Sequence, residues 1–69
     1  MRLNLLKINS NVFLSAGSDK LIKLWNIEKG ECIGTLAGHS DSVYCLIKLN
    51  SYQILSASLD RTMRLWNIN

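Results

Sequence analysis

The chain has 69 residues, 48% of them hydrophobic, and a formal net charge of +3. A chain of this length makes one small domain at most, and it buries too little surface to be comfortably stable without help. No apolar run approaches the length of a membrane span, and the N-terminus lacks the segments of a signal peptide. We therefore expect an intracellular protein, cytoplasmic or nuclear, with no membrane partner.

Short strand patterns separated by turn residues follow one another along the chain. In order, the predicted strands cover residues 2–8, 12–16, 21–27, 32–36, 43–49, 53–57 and 62–66. No proline interrupts them, and a helical period of about 3.6 residues is not sustained anywhere. The first run is too apolar for strict alternation, which predicts an inner strand packed on both faces. The predicted fold class is all-β.

The basic residues are scattered, and no five-residue block of the chain is basic. Scattered charge is typical of a solubilising surface. The alternative is a phosphate-binding stripe, but the low charge density argues against it. Nucleic acid is therefore not expected as the partner.

Two cysteines, Cys32 and Cys45, each lie in an apolar strand-like run. We expect reduced, buried thiols, with a disulfide or a metal pair as the alternative. Together with His39 they offer three nominal metal ligands, but their spacing follows no zinc pattern. We therefore expect no metal and no cofactor.

Much of the sequence occurs twice at a constant offset. Three pairs of like residues are each 41 positions apart: Ser15 and Ser56, Asp19 and Asp60, and Trp25 and Trp66. Residues 1–28, laid on residues 42–69 without gaps, repeat twelve residues. A fixed period near forty residues indicates a repeat architecture, in which one supersecondary unit is stacked on the next.

The second copy carries the fuller motif. Gly38-His39 precedes one strand, a small-residue strand leads into a turn with Asp60, and the next strand ends in Trp66-Asn67. This pattern resembles the WD-repeat β-propeller family, whose unit has a Gly-His pair, a small-residue strand, a turn aspartate and a strand ending in Trp-Asp. Both copies here end in Trp-Asn, a position that varies in that family.

The resemblance implies a β-propeller fragment with one four-stranded antiparallel blade and three strands of a second. Residues 1–28 would form the first repeat, without its Gly-His pair, and residues 29–69 the second. A seven-bladed ring needs about twenty-eight strands, so the predicted strands leave open blade edges. We expect a piece of a longer product, a chain that self-associates through those edges, or a partial structure that another protein completes.

The resemblance also implies one hydrogen-bonded network, made of four residues of the second copy: His39, Ser56, Asp60 and Trp66. The chemistry fits, because a buried imidazole needs partners at both nitrogens, an indole N–H only donates, and a carboxylate accepts. The first copy has three of the four counterparts: Ser15, Asp19 and Trp25. The position of the missing histidine would fall before Met1.

A serine, a histidine and an aspartate also suggest the alternative of a hydrolase triad. The structural network accounts for those residues at the repeat period, and no nucleophile elbow surrounds any serine. No glycine-rich loop leading into a helix is present to hold phosphate. We therefore predict no catalytic residue and no enzyme.

In the family that this chain resembles, partners usually dock on a rim of loops at one face of the ring. Position in the motif places six residues there: Tyr44, Ser42, Leu59, Ser18, Leu3 and Met1. Tyr44 offers apolar area and a hydroxyl at small entropic cost. The alternative for Tyr44, and equally for Leu59, is packing within the blade. The implied function is a non-catalytic scaffold or adaptor that binds other proteins, and the alternative is a nucleic-acid or chromatin-binding propeller segment.

Overall fold

The computed structural model describes residues 3–68, which form seven strands in two antiparallel sheets. The strands are β1 (Asn4–Lys7), β2 (Val12–Ala16), β3 (Ile22–Asn26), β4 (Glu31–Leu36), β5 (Val43–Asn50), β6 (Gln53–Ser58) and β7 (Met63–Asn67). The first sheet has the order β1-β2-β3-β4 and the second the order β5-β6-β7. The predicted all-β fold with four and three strands is confirmed. Within the described range, no helix has the length and apolar character needed to cross a membrane.

Polar side chains fix the turns between the strands of the first sheet. The Oδ1 atom of Asn9 accepts from the backbone N–H of Asn11 at 2.8 Å, and the Oδ1 atom of Asn26 accepts from that of Lys29 at 3.0 Å. Gly30 then supplies a positive φ of 65°, which glycine adopts without steric cost. These local bonds explain why strands end where asparagine and glycine occur in the sequence.

The core lies between the two sheets. Six buried residues form it: Ile8, Leu14, Ala16, Ile22, Val43 and Ile54. Two hydrogen bonds also connect the two sheets. The Val43 N–H donates to the Gly17 carbonyl at 3.1 Å, and the Lys48 ammonium donates to the Ile8 carbonyl at 2.7 Å. Each sheet therefore turns one face towards the other sheet and one face away.

Two predictions about burial are wrong, one for strand β1 and one for the cysteines. Strand β1 is not packed on both faces, because Leu6 packs against the core whereas Leu5 is 62% exposed. Cys32 is an exposed thiol on the edge strand β4, and Cys45 is half-buried, both of them free. Side chains alternate along a strand, so a sheet covered on one face exposes every second residue.

We expect the junction between the sheets to control the stability of the chain. Replacing Ile54, which is 0% exposed, by valine should cost about 0.5–1.5 kcal/mol because a methyl-sized gap opens in the core. Ile27→Val is the matched control, since the Ile27 side chain is 45% exposed. This substitution should change the free energy of unfolding by no more than about 0.5 kcal/mol. Urea unfolding measures both, and equal costs would contradict a core at this junction.

Candidate functional site

A glycine allows the loop between β4 and β5 to approach the second sheet closely. A Cβ atom at Gly38 would lie 3.1 Å from the Arg64 guanidinium and 3.2 Å from the Trp66 ring. Without that atom, the loop places His39 against Trp66, edge to face, with ring centroids 6.2 Å apart. His39 is only 6% exposed there. The Gly-His pair of the sequence is therefore a glycine at a close contact followed by a buried polar group.

Hydrogen bonds join the four network residues of the second copy. The Nε2 atom of His39 lies 2.7 Å from the Ser56 Oγ atom, and its Nδ1 atom lies 2.9 Å from the Asp60 Oδ2 atom. The indole N–H of Trp66 donates to the same Ser56 oxygen at 2.7 Å. We call these four residues and Thr62 the histidine cluster.

Asp60 is the anionic end of the histidine cluster. The Thr62 hydroxyl and its backbone N–H donate to one carboxylate oxygen, and the Ser40 N–H donates to the other at 3.0 Å. The hydroxyl bond from Thr62 is the main cause that holds the pKa of Asp60 well below its usual range. The bonds from His39 and the two backbone N–H groups act in the same direction, whereas burial opposes them.

The ionised carboxylate determines how the protons of the cluster are arranged. A carboxylate only accepts, so the Nδ1 atom of His39 carries the proton that is donated to Asp60. In that tautomer the Nε2 atom accepts from the Ser56 hydroxyl, whose oxygen accepts from Trp66. The donors therefore all point the same way along the chain of bonds, from the indole to the carboxylate.

The hydrogen bonds resemble those of a hydrolase triad at Ser56, His39 and Asp60, but a substrate has no access to the serine hydroxyl. Ser56 is 0% exposed, and its oxygen already accepts the indole N–H of Trp66. A substrate carbonyl cannot approach a hydroxyl enclosed in this way. Among residues 3–68, no group of three or more His, Cys, Asp or Glu side chains is arranged to hold a metal ion. What this geometry can do is hold the loop against the sheet.

The first copy reproduces the bond between serine and tryptophan and one backbone bond to the turn aspartate, but it has no counterpart of the histidine bond. The Trp25 indole donates to the Ser15 Oγ atom at 2.8 Å, as in the second copy. The Oδ1 atom of Asp19 accepts from the Leu21 N–H at 3.2 Å, and its Oδ2 atom lies 3.8 Å from the Lys23 ammonium. Asp19 therefore caps its own turn and pairs with a surface lysine.

Three of the predicted partner-binding residues lie at one end of the two sheets. Ser18 is exposed in the turn between β2 and β3, and Leu59 is 61% exposed in the turn between β6 and β7. Ser42 is half-buried before β5, and its carbonyl accepts the Leu59 N–H at 2.9 Å. The bond from Val43 to Gly17 brings the two turns together at this end.

The other predicted partner-binding residues have different surroundings. Leu3, just before β1, is 67% exposed. Tyr44 is 48% exposed and lines a shallow groove of about 250 Å³ with Ile47 and Met63 on the second sheet. It therefore does not fill the core between the sheets. Met1 lies outside the described residues.

Three contributions to this region were missed at the sequence level. Thr62 completes the bonding of Asp60, and a hydroxyl two residues after a turn aspartate is the signal that could have identified it. Lys48 bridges the sheets, for which its sequence gives no signal. Lys20 and Arg61, each directly after the turn aspartate, adopt positive φ angles of 70° and 72°.

The family model described as WD domain, G-beta repeat, matches residues 6–26 and 30–67. The chain belongs to the WD-repeat family. Its two sheets are accordingly blades of a β-propeller, and its histidine cluster lies in the blade formed by β5, β6 and β7.

Similar proteins and structures agree with this assignment. The chain is 43% identical over 35 residues to WD repeat-containing protein AAC3 of Dictyostelium discoideum, a match that covers 51% of this chain and 7% of that protein. It superposes on a chain of Polycomb Repressive Complex 2 from Chaetomium thermophilum with a TM-score of 0.82 and 29% identity, over 97% of this chain and 16% of that one. The computationally designed Ika4 protein gives a TM-score of 0.81 and 28% identity, over 94% and 39%. The chain spans less than a tenth of the curated relatives that it matches.

The two repeats permit a matched test of the cluster. Ser56→Ala leaves a half-buried indole N–H and a buried imidazole nitrogen without partners, which should cost about 1–3 kcal/mol. Ser15→Ala removes a single bond to a half-buried Trp25, so its cost should be smaller. Urea unfolding followed by tryptophan fluorescence measures both. A loss for Ser15→Ala as large as for Ser56→Ala would contradict the role of the imidazole.

The pKa of Asp60 predicts how stability depends on pH. Because its folded pKa is lowered, the carboxylate contributes stability above the unfolded value near pH 4, and that contribution is lost as the pH falls further. We expect the urea midpoint of the chain to drop between about pH 5 and pH 2. Asp60→Asn should have a lower midpoint at neutral pH and a weaker acid dependence. Asp19→Asn, which keeps the cluster intact, should retain that dependence, and an acid dependence unchanged by Asp60→Asn would refute the assignment.

Proposed function

We propose that the chain is a non-catalytic protein-interaction module that contributes two blades to a larger propeller. WD-repeat proteins generally act as protein-interaction scaffolds, and this chain has the repeat on both of its sheets. The observation that carries the proposal is the burial of Ser56 and His39, whose polar atoms are engaged in holding the loop. Those side chains serve the scaffold, and binding is left to the exposed end of the blades.

We assign partner binding to the rim surface, defined by Ser18, Ser42 and Leu59 at one end of the two sheets, and by the exposed Leu3 and Tyr44 that adjoin this end in the strand register. Leu59 supports this best, because it is 61% exposed in a turn whose backbone is held by the neighbouring Ser42 carbonyl. Because the backbone of this turn is already held, Leu59 offers apolar area with a smaller ordering cost on binding than a residue of a mobile loop. Burying such a side chain gains about 1.5–3 kcal/mol, enough for one anchor of an interface.

The charges favour a protein partner over nucleic acid. Lys48 is engaged by the Ile8 carbonyl and Lys23 lies 3.8 Å from the Asp19 carboxylate. Fewer free cations then remain for phosphate contacts, which dominate nucleic-acid affinity. The alternative of a nucleic-acid or chromatin-binding segment makes a different prediction, since its binding would fall steeply with salt.

The test compares two exposed aliphatic residues at opposite ends of the blades. Leu59→Ser removes the proposed anchor, and Ile27→Ser, on the turn between β3 and β4, is the matched control. Proteins retained by the immobilised chain are identified, purified and titrated against each variant between 50 and 300 mM salt. We expect Leu59→Ser to weaken binding at least tenfold, Ile27→Ser to leave it within twofold, and salt to have little effect.

Other results would count against the proposal. Equal losses for the two variants would show that the rim surface is not the site. A partner that is removed by nuclease treatment, or whose affinity falls a hundredfold or more over that salt range, would favour the nucleic-acid alternative.

A further inference from the structure

Two turns at the rim surface each end in a basic residue with a strained backbone. Lys20 lies in the turn after β2 and Arg61 in the turn after β6, 41 positions apart, so they occupy the same place in the two repeats. Their φ angles are 70° and 72°, in the left-handed region. Backbone bonds hold both residues there. The Lys20 N–H donates to the Gly17 carbonyl at 3.3 Å, and the Arg61 N–H donates to the Ser58 carbonyl at 3.2 Å.

Glycine would suit these two positions better than a residue with a side chain. A left-handed backbone brings the Cβ atom of an L-residue too close to a carbonyl oxygen, whereas glycine adopts it freely. Gly30 does so in the turn between β3 and β4. Strained residues of this kind concentrate at ligand-binding sites. A cationic side chain in both turns, in spite of the strain, indicates that the positive charge has a role of its own.

The two cations are exposed, whereas the aspartates of the same turns are engaged. Neither Lys20 nor Arg61 belongs to an ion pair within residues 3–68. In contrast, Asp19 lies 3.8 Å from the Lys23 ammonium, and the side chain of Asp60 is only 7% exposed beside its histidine partner. A further carboxylate in the loop before β5 is exposed at this end, where the two unpaired cations outnumber it.

Hydrogen bonds place the two turns on either side of one backbone step. The Gly17 carbonyl, which accepts from Lys20, also accepts from the Val43 N–H at 3.1 Å, and the Ser42 carbonyl accepts from the Leu59 N–H at 2.9 Å. Leu59 is 61% exposed in the second of these turns. An exposed apolar side chain therefore has one cation in its own turn and another in the neighbouring turn.

We infer that the rim surface, with Lys20 and Arg61, binds an acidic segment of a partner protein. Carboxylates of that segment pair with the two cations, and an apolar side chain packs on Leu59. The inference rests on the proposed interaction module and names the chemistry of its partner. Complementary charges across an interface give specificity and fast association more than raw affinity. Two cations supply too few phosphate contacts for tight nucleic-acid binding, so a protein segment fits this surface better.

The experiment uses random dodecapeptides displayed on phage as the probe, selected on the immobilised 69-residue chain. The selected peptides should carry an excess of Asp and Glu beside an apolar residue. Reversing both charges, with Lys20→Glu and Arg61→Glu, should weaken the binding of a selected acidic peptide by about tenfold or more. The matched control reverses Lys7 and Lys29, which are exposed at the opposite end of the first sheet, and should change the affinity by less than about twofold.

Glycine at the two positions separates the role of the charges from the stability of the fold. Lys20→Gly with Arg61→Gly relieves the left-handed strain, so the urea midpoint should rise. The affinity for the same acidic peptide should nevertheless fall, because both cations are lost. An unchanged affinity overturns the inference. A lowered midpoint overturns it as well, because the two side chains would then serve the turns instead of a partner.

The remaining results also decide the question. Selected peptides without an acidic excess overturn the inference, and so does a charge reversal that costs no more than its control. A single-stranded oligonucleotide that binds more tightly than the selected peptides overturns it in favour of nucleic acid. Leu59→Ser keeps the proposed function distinguishable. If peptides lacking acidic residues are selected and require Leu59, only the acidic partner is wrong, whereas peptides that bind without Leu59 contradict the rim site itself.

Discussion

The bond from the His39 imidazole to two groups of the second sheet is the constraint on which the arrangement of the blades depends. His39 belongs to the loop that leaves β4, whereas Ser56 lies within β6 and Asp60 lies in the turn that follows it. A buried imidazole left without partners would be costly, so the loop is held wherever both bonds can form. The loop position in turn sets how β5 begins beside the first sheet, where the Val43 N–H reaches the Gly17 carbonyl.

The repeat makes this junction a unit that can be copied. Strand side chains alternate between faces, and an offset of 41 residues preserves both strand register and face, so each blade has the same two surfaces. One surface is apolar, and the other carries the serine and the tryptophan. In a repeat protein, stability is approximately a sum of unit terms and interface terms. The described residues contain one such interface, between the first and the second sheet.

The sequence predicted the strands and the repeat well, because asparagine and glycine turns and the fixed period are local signals. It also placed His39, Ser56, Asp60 and Trp66 in one group, which hydrogen bonds do join. Burial was harder to predict, since Leu5 and Cys32 look like core residues until the number of neighbouring sheets is known. The bond from Lys48 to Ile8 joins two positions forty residues apart, so no local sequence pattern predicts it.

The tautomer of His39 tests the account most directly. Nuclear magnetic resonance of the ¹⁵N-labelled chain at neutral pH reports which ring nitrogen carries the proton. We expect a single tautomer protonated at Nδ1, with Nε2 accepting a hydrogen bond, because Asp60 accepts on one side and Ser56 donates on the other. A ring protonated mainly at Nε2, or one that averages rapidly between both tautomers, would mean that the imidazole does not hold the loop to the sheet.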